Sequence, residues 1–219
     1  MVFSIWSSFV NDFFAFTAYL VDILFPAIGM RYVELFSAPY HFPNMIWIVT
    51  PLIVTLVLME FYFGRYTKEE LGWNTAVGNS LVLIFVSLDL LRFIFTQAYP
   101  DIVITHPGIL FLNIVKLPVI DPIKFSIAVV IGLVGLWIML FDFFHILPKK
   151  VAFKLSESLP INVIAYLGIV LVYTDLLLDT SLFNITITVL AALLMFISLM
   201  LMFGVVHILE PTVKGDKND

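Results

Sequence analysis

Cysteine is absent and charge is scarce: none of the 219 residues is cysteine, and only 12% are Asp, Glu, Lys or Arg. The first absence excludes disulfide frameworks, thiolate metal centres, iron–sulfur clusters and cysteine nucleophiles. The second excludes disordered, nucleic-acid-binding and ordinary soluble classes, because soluble domains carry about a quarter charged residues. Met1–Phe9 has neither a basic n-region nor a small-residue cleavage site, so no removable signal peptide is expected. The first apolar segment is then its own insertion signal. What the chain does have is apolar surface: 62% of residues are hydrophobic and the mean hydropathy is +1.08. That composition predicts an all-α, polytopic integral membrane bundle, surrounded by lipid and placed in the cell (plasma) membrane. The formal net charge of -5 says little about partners, since much of it comes from carboxylates inside apolar segments.

A hydrocarbon core of about 30 Å needs roughly 20 apolar residues per helix. Five segments meet that length: Met45–Phe63, Ala76–Thr96, Phe125–Leu147, Ile161–Leu178 and Leu182–His207. A weaker one, Phe9–Ile28, is interrupted by Asn11, Asp12 and Asp22, and is counted as the first of six spans. Residues 1–210 thus form one transmembrane domain, and 211–219 a polar cytoplasmic tail. With six spans, Arg65, Lys68, Lys149, Lys150, Lys154, Lys214 and Lys217 fall on one side. The positive-inside bias then predicts that both termini are cytoplasmic.

The connections differ in kind. Thr67-Lys-Glu-Glu70 reads as a capping box, Pro148 ends the fourth span, and Pro160 suits the first turn of the fifth. The outer connection, residues 99–122, is largely apolar but broken by His106-Pro-Gly108 and Pro118. It reads as an interfacial loop, with a re-entrant or partner-binding segment as the alternatives. The second-third and fourth-fifth spans look alike. Leu58-Met-Glu60 parallels Leu140-Phe-Asp142, and Ser87-Leu-Asp89-Leu-Leu91 parallels Tyr173-Thr-Asp175-Leu-Leu177. A parallel internal repeat is therefore a candidate.

Ionisable residues within spans are costly and usually functional. Here they form two layers. Glu60, Asp142, His145, His207 and Glu210 fall near the cytoplasmic side, and Asp89, Arg92, Asp175 and Asp179 near the outer side. Asp89 and Arg92 can pair at i,i+3. Asp175 and Asp179, at i,i+4 on one helix face, would share a proton, take a cation or clamp Arg92. Asp142 and His145, with His207 on the sixth span, have the donor chemistry of a divalent metal site, and the two histidines that of a haem. Glu60, Asp142 and His145 could alternatively relay protons, although no cofactor is required by the pattern. Asp22 shares a face with Ala15, Ala18, Tyr19 and Pro26, which predicts inward packing. Gly132, Gly135, Gly168 and Gly204 mark close helix crossings, and the Asn184-Ile-Thr186 sequon lies too near the membrane for glycosylation to be expected.

Arg31-Tyr-Val-Glu34 and Asp175-Leu-Leu-Leu-Asp179 are superficially similar to microbial-rhodopsin segments. The Schiff-base lysine is missing, however: Asp179 stands at that place and no lysine lies inside a span. Catalytic motifs of the common hydrolase and zinc-protease kinds are missing too, so the reading leans away from an enzyme. Three functions remain. The first is a small transporter or channel for protons, cations or a small solute, using Glu60, Asp89, Arg92, Asp142, Asp175 and Asp179. The second is an accessory subunit of a membrane complex, and the third an intramembrane metal enzyme. A homo-oligomer or other membrane subunits are the expected partners.

Overall fold

The computed structural model describes residues 2–65, 72–98, 121–177 and 179–209, without the side chains of 2–10, 63–65, 206, 207 and 209. The capping-box turn at 67–70, nearly all of the 99–122 connection, Glu210 and the tail lie outside the described residues. Among the described residues every regular element is helical. Six helices are long and apolar enough to cross a membrane, so the chain is an all-α polytopic bundle. The elements are α1 (Val2–Tyr19), a π-helical turn (Leu20–Leu24), α2 (Phe25–His41), a 3-10 turn (Pro43–Met45), α3 (Ile46–Arg65), α4 (Trp73–Ala98), α5 (Pro122–Phe143), α6 (Lys149–Leu155), α7 (Ser158–Tyr173) and α8 (Leu182–Leu209).

Helix α7 is apolar around its whole circumference, and a helix of that kind belongs in the middle of a bundle. It packs against α2, α3, α4, α5 and α8, burying Ile161, Ala165, Ile169 and Val172 completely. The closest pair is α4 with α5, which run antiparallel. Small residues allow this approach. A Cβ built on Gly132 would stand 2.5 Å from Ser87 Oγ, and one on Gly135 2.7 Å from the Cβ of Leu83. Gly168 of α7 meets Ile131 of α5 in the same way, whereas a Cβ at Gly204 would meet nothing within 4 Å. Three of the four expected glycine crossings are therefore present.

Proline shapes α2. Pro39 has no N–H, so the carbonyl of Leu35 loses its helical donor. In a membrane such a group must find another partner. The Tyr166 hydroxyl of α7 supplies it, donating to Leu35 O at 2.7 Å.

Several expected boundaries are corrected. The fourth span ends at Phe143, not Leu147, in a Schellman closure: His145 N–H donates to Asp142 O at 3.3 Å and Ile146 N–H to Phe141 O at 3.0 Å. His145 occupies the left-handed position with φ 53°, where glycine is usual. The fifth span begins as the short α6 and ends at Tyr173, not Leu178. Thr174 turns extended there, and its hydroxyl donates back to Val170 O at 2.7 Å. The first span is also different: α1, the π turn and α2 form one run of 18, 5 and 17 residues. At about 1.5 Å per residue that is roughly 60 Å of helix, twice the hydrocarbon thickness. No residue from Asn11 to Glu34 is buried, so the face carrying Ala15, Ala18, Tyr19 and Asp22 does not pack inward in this chain.

The two hairpins of the expected repeat pack differently. Helices α4 and α7 run the same way, yet α5 packs on α7 whereas α3 barely touches α4. The gap left between α3 and α4 is where the polar side chains gather.

Candidate functional site

Helical spacing puts Phe85, Asp89, Arg92, Phe93 and Thr96 on one face of α4, looking across to Trp47, Pro51 and Thr55 of α3. Together they line a cleft of about 810 Å³. Asp89 stands nine residues before the Ala98 end, about 14 Å along the helix, well inside the span. It is not left bare. Arg92 donates to Asp89 Oδ1 through Nη2 at 2.6 Å and Nε at 3.1 Å, and Tyr173 donates to Oδ2 at 3.2 Å. Tyr173 is itself held by stacking on Phe93, ring centres 3.8 Å apart and planes 17° from parallel. The Arg92 side chain remains 65% exposed, so its guanidinium has donors to spare for a bound group.

A second cavity of about 520 Å³ adjoins the cleft and shares Asn44, Phe93, Gln97 and Tyr173 with it. Its other polar lining comes from His41, Asp121, Lys124 and Asp175. Asp175 pairs with Lys124 at 3.1 Å. Asp121 caps α5, accepting from Ile123 N–H at 2.9 Å and Lys124 N–H at 3.2 Å. The two cavities thus adjoin at the end of the bundle where α4 and α7 finish and α5 begins, with their polar groups set among apolar walls.

The expected Asp175–Asp179 face does not form, because α7 has already ended. Asp179 instead holds the turn before α8, accepting from Ser181 N–H at 2.9 Å and Ser181 Oγ at 3.0 Å, while Ser181 Oγ caps the helix by accepting from Asn184 N–H at 3.2 Å. Arg92 clamps neither acid; its partner is Asp89. Arg31 of α2 reaches this turn, donating to Asn184 Oδ1 and, at 3.5 Å, to Leu176 O, while also pairing with Glu34 at 3.2 Å. The sequon asparagine is thereby a buried structural pin, its amide also donating to Asp179 O at 2.6 Å.

In the inner layer Asp142 and His145 have different surroundings. Asp142 is 1% exposed and accepts from Ser156 Oγ and, at 3.3 Å, from Ser80 Oγ. Its Oδ1 has no hydrogen-bond partner. Ser80 also lies 2.9 Å from Ala76 O, so its single proton serves one acceptor at a time. Asn79 donates to Ser156 O at 2.8 Å, tying α4 to the α6–α7 break. His145 points elsewhere. It is exposed and packs edge-on against Trp73, ring centres 4.1 Å apart. Glu60 is half-buried on α3. The side chain of His207 lies outside the described residues, as does Glu210. Among the described residues no three His, Asp or Glu side chains come together as a metal-binding group. Between the layers, α4 buries Leu83 and Val86, and Ser87 is committed to Ala128 O at 2.8 Å.

Lys124, Tyr173, Asn44 and His41 were not singled out by sequence, although Tyr173 stands in the repeated Tyr-Thr-Asp stretch. No family model, curated protein or solved structure matches the chain.

Proposed function

We propose that this protein is a small plasma-membrane transporter that receives a small charged solute or cation in the cleft between α3 and α4. Asp89 supplies the counter-charge, with Arg92 and Tyr173 positioning it. The observation that carries the reading is an intramembrane Asp–Arg pair lining the first of two adjoining cavities, where an ionised group would otherwise be excluded from a span. The Lys and Arg bias turns this region outward and leaves both termini cytoplasmic. The apolar filling at Leu83 and Val86 fits a binding vestibule closed on its far side, with Asp142 as an inner station for a proton or cation.

The test is flux into liposomes reconstituted with purified protein, across a panel of monovalent cations and small zwitterions. Asp89→Asn preserves an acceptor for Tyr173 but removes the charge, and is expected to lower flux of the transported species at least tenfold. Wild-type flux from a well-folded Asp89→Asn protein overturns the reading. One observation favours a second reading, a subunit of a larger membrane assembly: α1 and the π turn expose Asp12 and Asp22 without an in-chain partner among the described residues. A neighbouring chain would then supply the covering surface.

A further inference from the structure

A third cavity, of about 450 Å³, lies on the opposite side of α3 from the Asp89 cleft, bounded by α2, α3, α7 and α8. Its volume is that of an ordinary small-molecule pocket, about 300–1,000 Å³. The walls are mostly aliphatic and aromatic, with Thr50, Tyr40 and Tyr166 bearing hydroxyls; they carry no charged residue and include Met195 and Met202, whose side chains adapt to varied shapes. Against this background Asn162 stands out. It is 4% exposed, and its Nδ2 donates to Ser158 O at 2.8 Å and Ser158 Oγ at 3.1 Å. Those two bonds fix the amide orientation, because only the NH₂ group can donate to a carbonyl. Its Oδ1 is buried with no partner. The nearby Tyr166 cannot provide one, since its proton is spent on Leu35 O.

We propose that this cavity binds a neutral lipophilic alcohol or phenol whose hydroxyl donates to Asn162 Oδ1. Three features select that chemistry. The lining offers no charge for a charged headgroup. The vacant group is an acceptor, so the ligand brings a donor. The acyl chains of surrounding phospholipids, which also fit an apolar cavity, carry no donor for it. Tyr40 and Met202 at the rim are exposed, which opens the cavity sideways to lipid. The ligand is either a resident membrane lipid with a free hydroxyl or a lipophilic alcohol entering from outside.

Photolabelling of the full chain in lipid nanodiscs tests the site. The probes are a diazirine-bearing dodecanol and its methyl ether, which differ only in the donor. The alcohol is expected to label the stretch of α8 from Met195 to Phe203 at least tenfold more than the ether does. Asn162→Leu is expected to abolish that preference. Because the comparison of the two probes uses the wild-type chain, it stands even if the variant misfolds. Equal labelling by alcohol and ether, or none on α8, overturns the proposal and leaves an acyl-chain groove or a bound water at Asn162. Organic extraction of the purified protein separates the two sources. A near-stoichiometric hydroxyl-bearing neutral lipid identifies a resident ligand, while its absence with alcohol labelling retained identifies an exogenous one.

Discussion

Asp142 has been removed from water with two serine hydroxyls as its donors, whereas Asp89 keeps a guanidinium, a phenol and an open cleft. The same side chain therefore meets different physics at the two ends of the bundle. At Asp142 the Ser156 hydroxyl and a Ser80 hydroxyl shared with Ala76 O replace a whole hydration shell, while Asp89 has a charge-assisted pair at an open cleft. Spacing alone foretold the Asp89–Arg92 pair, because i,i+3 neighbours on a helix meet without help from the rest of the fold. Nothing local connects Tyr173 to Asp89 or Lys124 to Asp175, which are far apart in the chain. Those contacts could not be read from spacing. His145 is the residue whose backbone limits it most. A left-handed conformation costs a non-glycine residue about 1–2 kcal/mol. His145→Gly is therefore expected to be more stable than His145→Ala by about 1 kcal/mol, both variants having lost the Trp73 contact. Thermal unfolding of the two proteins in the same detergent checks it.

Helices in this bundle meet through exceptions to regular helix chemistry. Pro39 leaves a carbonyl free in α2, and Tyr166 of α7 fills the vacancy. Tyr166→Phe is expected to cost about 1 kcal/mol in the native chain, and far less beside Pro39→Ala, where the backbone N–H restored by that substitution takes over. A double-mutant cycle of unfolding free energies measures that coupling; additive values would show that the hydroxyl serves some other purpose. Glycine acts in the opposite sense, by giving up volume. Gly135→Ala forces a Cβ against the Leu83 Cβ and the Ile84 backbone, and is expected to cost about 1–3 kcal/mol. Gly204→Ala, with nothing within 4 Å, is expected to be neutral or stabilising. Equal effects at the two sites would refute the crossing described for α4 and α5.

Over the whole molecule, the core gathers around α7 while α1 and the π turn stand outside it. Since no residue from Asn11 to Glu34 is buried, a chain lacking residues 2–19 is expected to unfold at the same temperature as the full chain. In native mass spectrometry from its own membrane, the same truncation separates the two functional readings. Loss of companion or second copies, with flux retained in the bundle, assigns α1 to assembly. Loss of thermal stability instead would place α1 in the core after all.

Composition alone determined that this chain is a helical membrane bundle, because an apolar segment of span length has one way to satisfy its backbone in lipid. Sequence position separated Asp89 from Asp142, since helical rise converts position into height along the bundle. Tertiary structure decided where the helices stop. Thr174 and the Phe141–Ile146 closure end two of them early and so separate Asp175 from Asp179 and Asp142 from His145. It also decided that α4 turns its charged face toward a gap rather than a neighbour. Apolar helices of similar composition pack by shape, through a few glycines and serines, and that choice of partner is not carried by hydropathy.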